Sequence, residues 1–99
     1  MFYILNKREA VKVKSIEIWI QQFELKNRVV EKTTIGDIEI STVFLGIDHS
    51  FEDGQPLIFE TMISGLPNEE YCRRYSTWIE AERGHYLARL YILKGEYYE

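Results

Sequence analysis

Read as a pattern of apolar and polar positions, the chain alternates between extended and helical periods. The apolar run FYIL (2–5) predicts a strand. The polar stretch NKREAVKVK (6–14), in which only Val11 and Val13 alternate, predicts a loop with at most a brief extended piece. From Ser15 the period becomes helical: Ile16, Trp19, Ile20 and Phe23 fall at i, i+3, i+4 and i+7 and form one face. Ser15 is placed to cap free amides, Glu17 lies in the first turn where the helix dipole favours an acid, and Asn27 is a stop signal. The expected helix covers 15–26.

The pattern then turns extended. RVVEKTT (28–34) is β-branched and half polar, a strand signature, and Ile35-Gly36-Asp37-Ile38 offers a two-residue turn in which Gly36 supplies positive φ. IEISTVFLGI (38–47) begins as alternation and becomes continuously apolar, as expected of a strand passing from a half-covered to a fully covered part of a sheet. Residues 48–55 read as a loop. PLIFETMIS (56–64) reads as a strand with Pro56 at its start, and GLPNEEY (65–71) as another loop. Thr77 and Glu80 have the spacing of a capping box, and Trp78, Ala81, His85, Ala88 and Ile92 share a face of a helix expected over 77–93. Small residues at Ala81, Gly84 and Ala88 would let this helix lie close on a sheet, while the tail GEYYE is expected to fray. The order β-α-β-β-β-α over residues 1–99 predicts one α+β domain. It is an antiparallel sheet of about four strands packed against two amphipathic helices, with one sheet face open.

Charge sharpens this picture. The net charge is −4, but residues 1–32 hold seven Lys and Arg against four Glu, whereas residues 33–72 hold eight Asp and Glu with no Lys or Arg. Phosphate backbones are bound through cations, so the cation-free middle argues against nucleic acid as a partner and for a basic protein surface. A hydrophobic fraction of 45 % and an aromatic fraction of 14 % suit a folded domain. No apolar run reaches the ~18–20 residues of a membrane span, and the start MFYILNKREA lacks the basic region of a secretory signal. The single cysteine, Cys72, excludes an internal disulfide and suits an intracellular setting.

Candidate chemistry centres on a few clusters. Asp48 and His49, with Glu52, Asp53 and Glu60, offer oxygen ligands, but the calcium-loop spacing is absent and two His with one Cys are too few for zinc. No metal or cofactor is expected there, and the plainer reading is a hairpin loop satisfying its own backbone. Glu60, inside LIFETMI, needs a partner if buried, with His49, Arg73, Arg74, Tyr75 and His85 as candidates. Strand alternation favours solvent or a structural salt bridge instead. His85 lies on the inward side of its helix and reads first as a hydrogen-bonded core histidine. YCRRYSTW (71–78) sets two arginines between tyrosines ahead of a helix N-terminus, an arrangement that could hold an anion. No histidine lies at a motif spacing from Cys72, and neither a phosphate loop nor a serine elbow is present, so no catalytic residue is expected.

Three blocks carry a resemblance: Ser41 to His49, Phe59 to Met62 and Tyr75 to His85. They resemble a family of small phage and prophage proteins that share S-T-V-F-L-G-x-D-H, a strand ending L-F-E-T-M, and Y-S-T-W-x-E-A-x-x-G-H. The likeness covers roughly residues 34 to 86 and is weak over 1 to 33. It implies a virus-encoded protein in the cytoplasm of a bacterial host and assigns no catalytic residue. The leading expectation is a non-catalytic inhibitor of a host, defence-related protein, acting by contact through Asp48, His49, Phe51, Glu60, Arg74 and Tyr75. A single antiparallel platform would gather Asp48, His49, Glu60 and Tyr75 into one neighbourhood. The alternative is a homo-oligomer that sequesters a small nucleotide signal with Arg73, Arg74, Tyr75 and His85. A hydrolase using Glu60 and His49 ranks third.

Overall fold

In the computed structural model, which describes residues 2–25, 28–48 and 54–95, the alternating segments form two antiparallel sheets and the periodic segments two helices. The order is β1 (Phe2–Asn6), β2 (Glu9–Val13), α1 (Ile16–Leu25), β3 (Val29–Ile35), β4 (Ile38–Phe44), β5 (Phe59–Ser64), β6 (Tyr71–Tyr75) and α2 (Trp78–Lys94). The expected α+β class is the one observed. Strands β3-β4-β5-β6 form a four-stranded meander, and β1 with β2 forms a separate hairpin.

The turn at Gly36 and Asp37 sets the register of the meander, pairing Ile35 with Ile38 across it, with Gly36 at φ 60. Further along, Thr42 pairs with Thr61, Phe44 with Phe59, and Glu60 with Arg74. Alternation then sorts the faces. Ile38, Ile40, Thr42 and Phe44 of β4 are buried, while Glu39, Ser41 and Val43 are half-buried on the other side. Helix α2 covers only the first of these faces. It opens on the capping box foreseen in the sequence, with Thr77 Oγ1 accepting from Glu80 N and Glu80 accepting from Thr77 N, and closes on left-handed Gly95. Its buried residues are Ala81, Gly84, His85, Ala88 and Ile92. Gly84 is a matter of space: a methyl built there would coincide with the hydroxyl and ring of Tyr75.

Two apolar clusters hold helix to sheet. Leu5, Phe44, Ile58, Phe59 and Ala81 form one, and Ile38, Ile40, Ile63, Ala88 and Ile92 the other. Phe44, Phe59, Ile40 and Ile58 are buried almost completely, each worth about 2–3 kcal/mol in apolar transfer.

The structure corrects the sequence reading in two segments. Residues 9–13, expected as loop, are strand β2, paired with β1 across a two-residue turn at Lys7 and Arg8. That turn lacks Gly and Asn, and Lys7 itself takes φ 61, so the usual hairpin signal is missing. Residues 71–75, at the end of an expected loop and within a candidate anion site, are strand β6 at the edge of the described sheet, a position where charged residues such as Arg73 and Arg74 are tolerated.

Helix α1 begins as expected, with Ile18 N donating to Ser15 Oγ at 3.3 Å. Its packing partner is the β1–β2 hairpin, and only part of its apolar stripe is used. Trp19 and Phe23 turn inward, whereas Ile16 and Ile20 remain 52 % and 44 % exposed, because a two-stranded sheet is too narrow to cover the whole stripe. The unit joins the larger sheet at buried Gly46, whose carbonyl accepts from Tyr3 N and from Trp19 Nε1. A Cβ at Gly46 would lie 2.4 Å from the Phe23 ring, and its φ of 78 suits glycine. Asn27, the expected stop of α1, and residues 96–99 of the tail lie outside the described residues. Among the described residues no helix is long and apolar enough to cross a membrane.

Candidate functional site

The expected site residues separate by face. Tyr75 pairs with Phe59 and points toward α2, packing against the first apolar cluster. Glu60 and Arg74 pair with each other on the opposite, uncovered face. The single neighbourhood expected to hold Glu60 and Tyr75 is therefore not formed, because strand alternation puts Tyr75 on the helix side and Glu60, with Arg74, on the other. Asp48 braces its own loop, its Oδ1 accepting from Leu57 N at 3.0 Å, as the plainer reading held. His49, Phe51, Glu52 and Asp53 lie outside the described residues.

The expected anion grip divides in the same way. The Arg73 guanidinium stacks over Tyr71 at 4.4 Å on the helix side of β6, and Arg74 Nε donates to Glu60 Oε2 at 2.9 Å on the other. His85 is fully buried. The Thr77 amide near the start of α2 is taken by Glu80. Arg73, Arg74, Tyr75 and His85 thus share no pocket.

His85 instead anchors a polar belt that crosses the covered face. Its Nδ1 lies 2.7 Å from Thr42 Oγ1, which is 2.5 Å from Thr61 Oγ1, and its Nε2 lies 2.8 Å from Thr33 Oγ1. Glu31 Oε2 stands 3.6 Å from the same Nε2. That carboxylate favours a proton on Nε2, which leaves Nδ1 to accept from Thr42 and Thr42 to accept from Thr61. Burial lowers the His85 pKa and outweighs the opposing pull of Glu31, while Arg89 adds to the lowering. Beside the belt, burial raises the Tyr75 pKa, with Thr61 opposing. The belt is a satisfied structural network, and Thr33, Thr42 and Thr61 within it were not singled out by sequence.

The uncovered face is a different surface. Met62 stands 52 % exposed at its centre, with Val29 exposed and Val43 half-buried on neighbouring strands. The charges around Met62 are paired: Glu60 with Arg74, and Lys32 with Glu39 at 3.9 Å. Cys72 Sγ donates to Glu60 Oε2 at 3.4 Å, and partial burial with that carboxylate raises the thiol's pKa. The face ends in an acidic rim. The β3–β4 turn and the β5–β6 loop lie against each other, a Cβ at Gly65 falling 2.6 Å from Asp37 O, which brings Asp37 and Glu39 to the end that bears Glu69 and Glu70. Tyr91 of α2 donates to Glu69, which holds that acid on the helix side. Met62 and Glu39 escaped notice in the sequence although the alternation of β4 and β5 marks both as outward-facing.

A cleft of about 840 Å³ opens between the Lys7–Arg8 turn and the start of α2. Arg8 lies 5.5 Å from the Trp78 ring. Lys7 and Arg8 in its lining are balanced by Glu9 and Glu82, so its charge favours neither an anion nor a cation. Comparison with known proteins finds no family model that matches the chain, no curated protein similar to it and no solved structure similar to its fold.

Proposed function

We propose that this chain is a non-catalytic binding protein that docks on a basic surface of another protein through the uncovered sheet face and its acidic rim. The observation that carries the reading is the one-sided cover of the meander: α2 occupies one face, and the other presents exposed Met62 between two ion pairs. An apolar centre with a polar, charged rim is the usual anatomy of a protein interface. Asp37 and Glu70, without an ion-pair partner among the described residues, would add steering and specificity toward a cationic partner. The resemblance to small phage proteins supplies the setting: a virus-encoded protein acting in a bacterial cytoplasm, with a host, defence-related factor as the target and inhibition by occlusion as the effect.

The immobilised chain is expected to retain a basic host protein from bacterial lysate, with retention falling as salt rises. Met62→Glu and the pair Asp37→Lys with Glu39→Lys should each abolish it while leaving the circular dichroism spectrum unchanged. Equal retention by folded Met62→Glu would sink the docking face. The nucleotide-sequestering alternative draws no comparable support, since its four residues are divided between the two sides of the sheet.

A further inference from the structure

The outward face of α2 carries an apolar stripe that the fold does not use. Ile79, Tyr86 and Leu93 recur every seven residues and are 61 %, 57 % and 64 % exposed, with Leu87 beside them at 59 %. Half-buried Leu90 completes the row. The inner face of the same helix is already committed to the sheet through Ala81, Gly84, His85, Ala88 and Ile92. A helix with one face on a core normally turns charge outward. A seven-residue apolar repeat on the outer side is the pattern that keeps a seam facing a second helix.

We propose that this face is a self-association surface, on which α2 of a second copy of this chain packs antiparallel about a two-fold axis at Tyr86. The charges beside the stripe suit that partner, and the helix dipoles favour that direction. Glu82 and Arg89, seven residues apart, lie on one flank, and both are exposed. An antiparallel two-fold sets each flank against itself, so Glu82 of each copy meets Arg89 of the other and two ion pairs form. The same symmetry stacks Tyr86 on Tyr86 and seats Ile79 against Leu93 at both ends. A parallel pair would leave Arg89 against the flank that carries Arg83 and Lys94, would set Ile79 on Ile79 and Leu93 on Leu93, and would align the two helix dipoles unfavourably. The seam from Ile79 to Leu93 spans about 21 Å of helix. The dimer leaves both uncovered sheet faces pointing outward, so this inference stands apart from the docking reading above.

Sedimentation equilibrium of the full chain tests it. The expected result is a dimer at about 100 µM that dissociates on dilution, since a contact built on one helix lies at the small end of stable interfaces. Tyr86→Glu and Leu87→Glu should each give a folded monomer. Glu82→Arg and Arg89→Glu should each weaken the dimer roughly tenfold by placing like charges together, and the double variant should restore it to within about twofold. In a Cys72→Ser background, Tyr86→Cys should form an interchain disulfide, whereas Ile79→Cys alone should not, because its copy would lie about 21 Å away. A monomer at about 100 µM overturns the proposal, as does a dimer indifferent to Tyr86→Glu. Ready self-crosslinking of Ile79→Cys overturns the antiparallel arrangement. A monomer whose capture of a host protein is lost in Tyr86→Glu would assign the stripe to that protein, and the proposal would fall.

Discussion

Strand β5 serves two surfaces with alternate residues. Phe59, Thr61 and Ile63 turn toward α2 and are buried, while Glu60, Met62 and Ser64 turn away and keep contact with solvent. Both faces hold polar groups, but on different terms. On the covered face the hydroxyls of Thr33, Thr42 and Thr61 and the ring of His85 lie within hydrogen-bond reach of one another. A polar atom buried there without a partner would lose its hydration with nothing in return. On the uncovered face Glu60 and Arg74 pair at 2.9 Å, and the Arg74 side chain keeps 39 % of its surface in water, so the guanidinium can be resolvated if the pair opens. The covered face is therefore where changes threaten the fold, and the uncovered face is where they alter recognition.

The largest effect is expected from closing the contact between α2 and β6. Gly84→Ala puts a methyl into the Tyr75 ring, so helix or strand must shift; a loss of about 3 kcal/mol in urea unfolding is expected. A Gly84→Ala protein as stable as the original would mean that the covered face yields as readily as the open one, which would erase the contrast. Next comes Thr42→Val, which keeps the shape but strips the hydroxyl between His85 Nδ1 and Thr61. The expected loss is about 2 kcal/mol, because two buried groups lose a partner at once.

The third effect depends on pH. With the folded pKa of His85 below its ordinary 6.5, the unfolded chain takes up a proton more readily than the native one as pH falls. The His85 contribution is then complete above pH 6.5 and is lost as acid carries the pH down through the folded value. Urea midpoints should fall between pH 7.5 and pH 5.5 by more in Glu31→Gln than in the original chain, since Glu31 is the neighbour that favours the charged ring, while Arg89 opposes it. An equal fall in both proteins would remove Glu31 from the account. The smallest effect belongs to the uncovered face: Arg74→Ala should cost about 1 kcal/mol, because the guanidinium side chain is 39 % exposed and the Glu60 carboxylate, itself only 12 % exposed, keeps Cys72 Sγ as a donor. A loss as large as that of Thr42→Val would show that the two faces do not differ in kind.

How much of this was legible depends on whether the signal is local. The capping box at Thr77 and Glu80, the cap at Ser15 and the Gly36 turn rest on contacts within a few residues, and each was readable. The inward position of His85 followed from helical spacing with Ala81 and Ala88. Strand β2 was hidden because its turn uses Lys7 and Arg8, and β6 because an edge strand need not show a clean apolar alternation. The candidate site failed for a related reason. Arg73, Arg74 and Tyr75 are adjacent in sequence, and adjacency within a strand means opposite faces. Without a strand expected over 71–75, nothing in the sequence imposes that separation.

The sequence by itself determined the α+β class, three of the four meander strands and the two helices, because periodicity, caps and turns are written in short stretches of chain. Only the tertiary structure decided that β1 leaves the meander for a hairpin, that α2 alone covers the four-stranded sheet, and that Thr33, Thr42, Thr61 and His85 meet beneath it. Those outcomes rest on contacts between residues as distant in sequence as Thr33 and His85, 52 positions apart, whose partners are set by which faces compete for the same buried area.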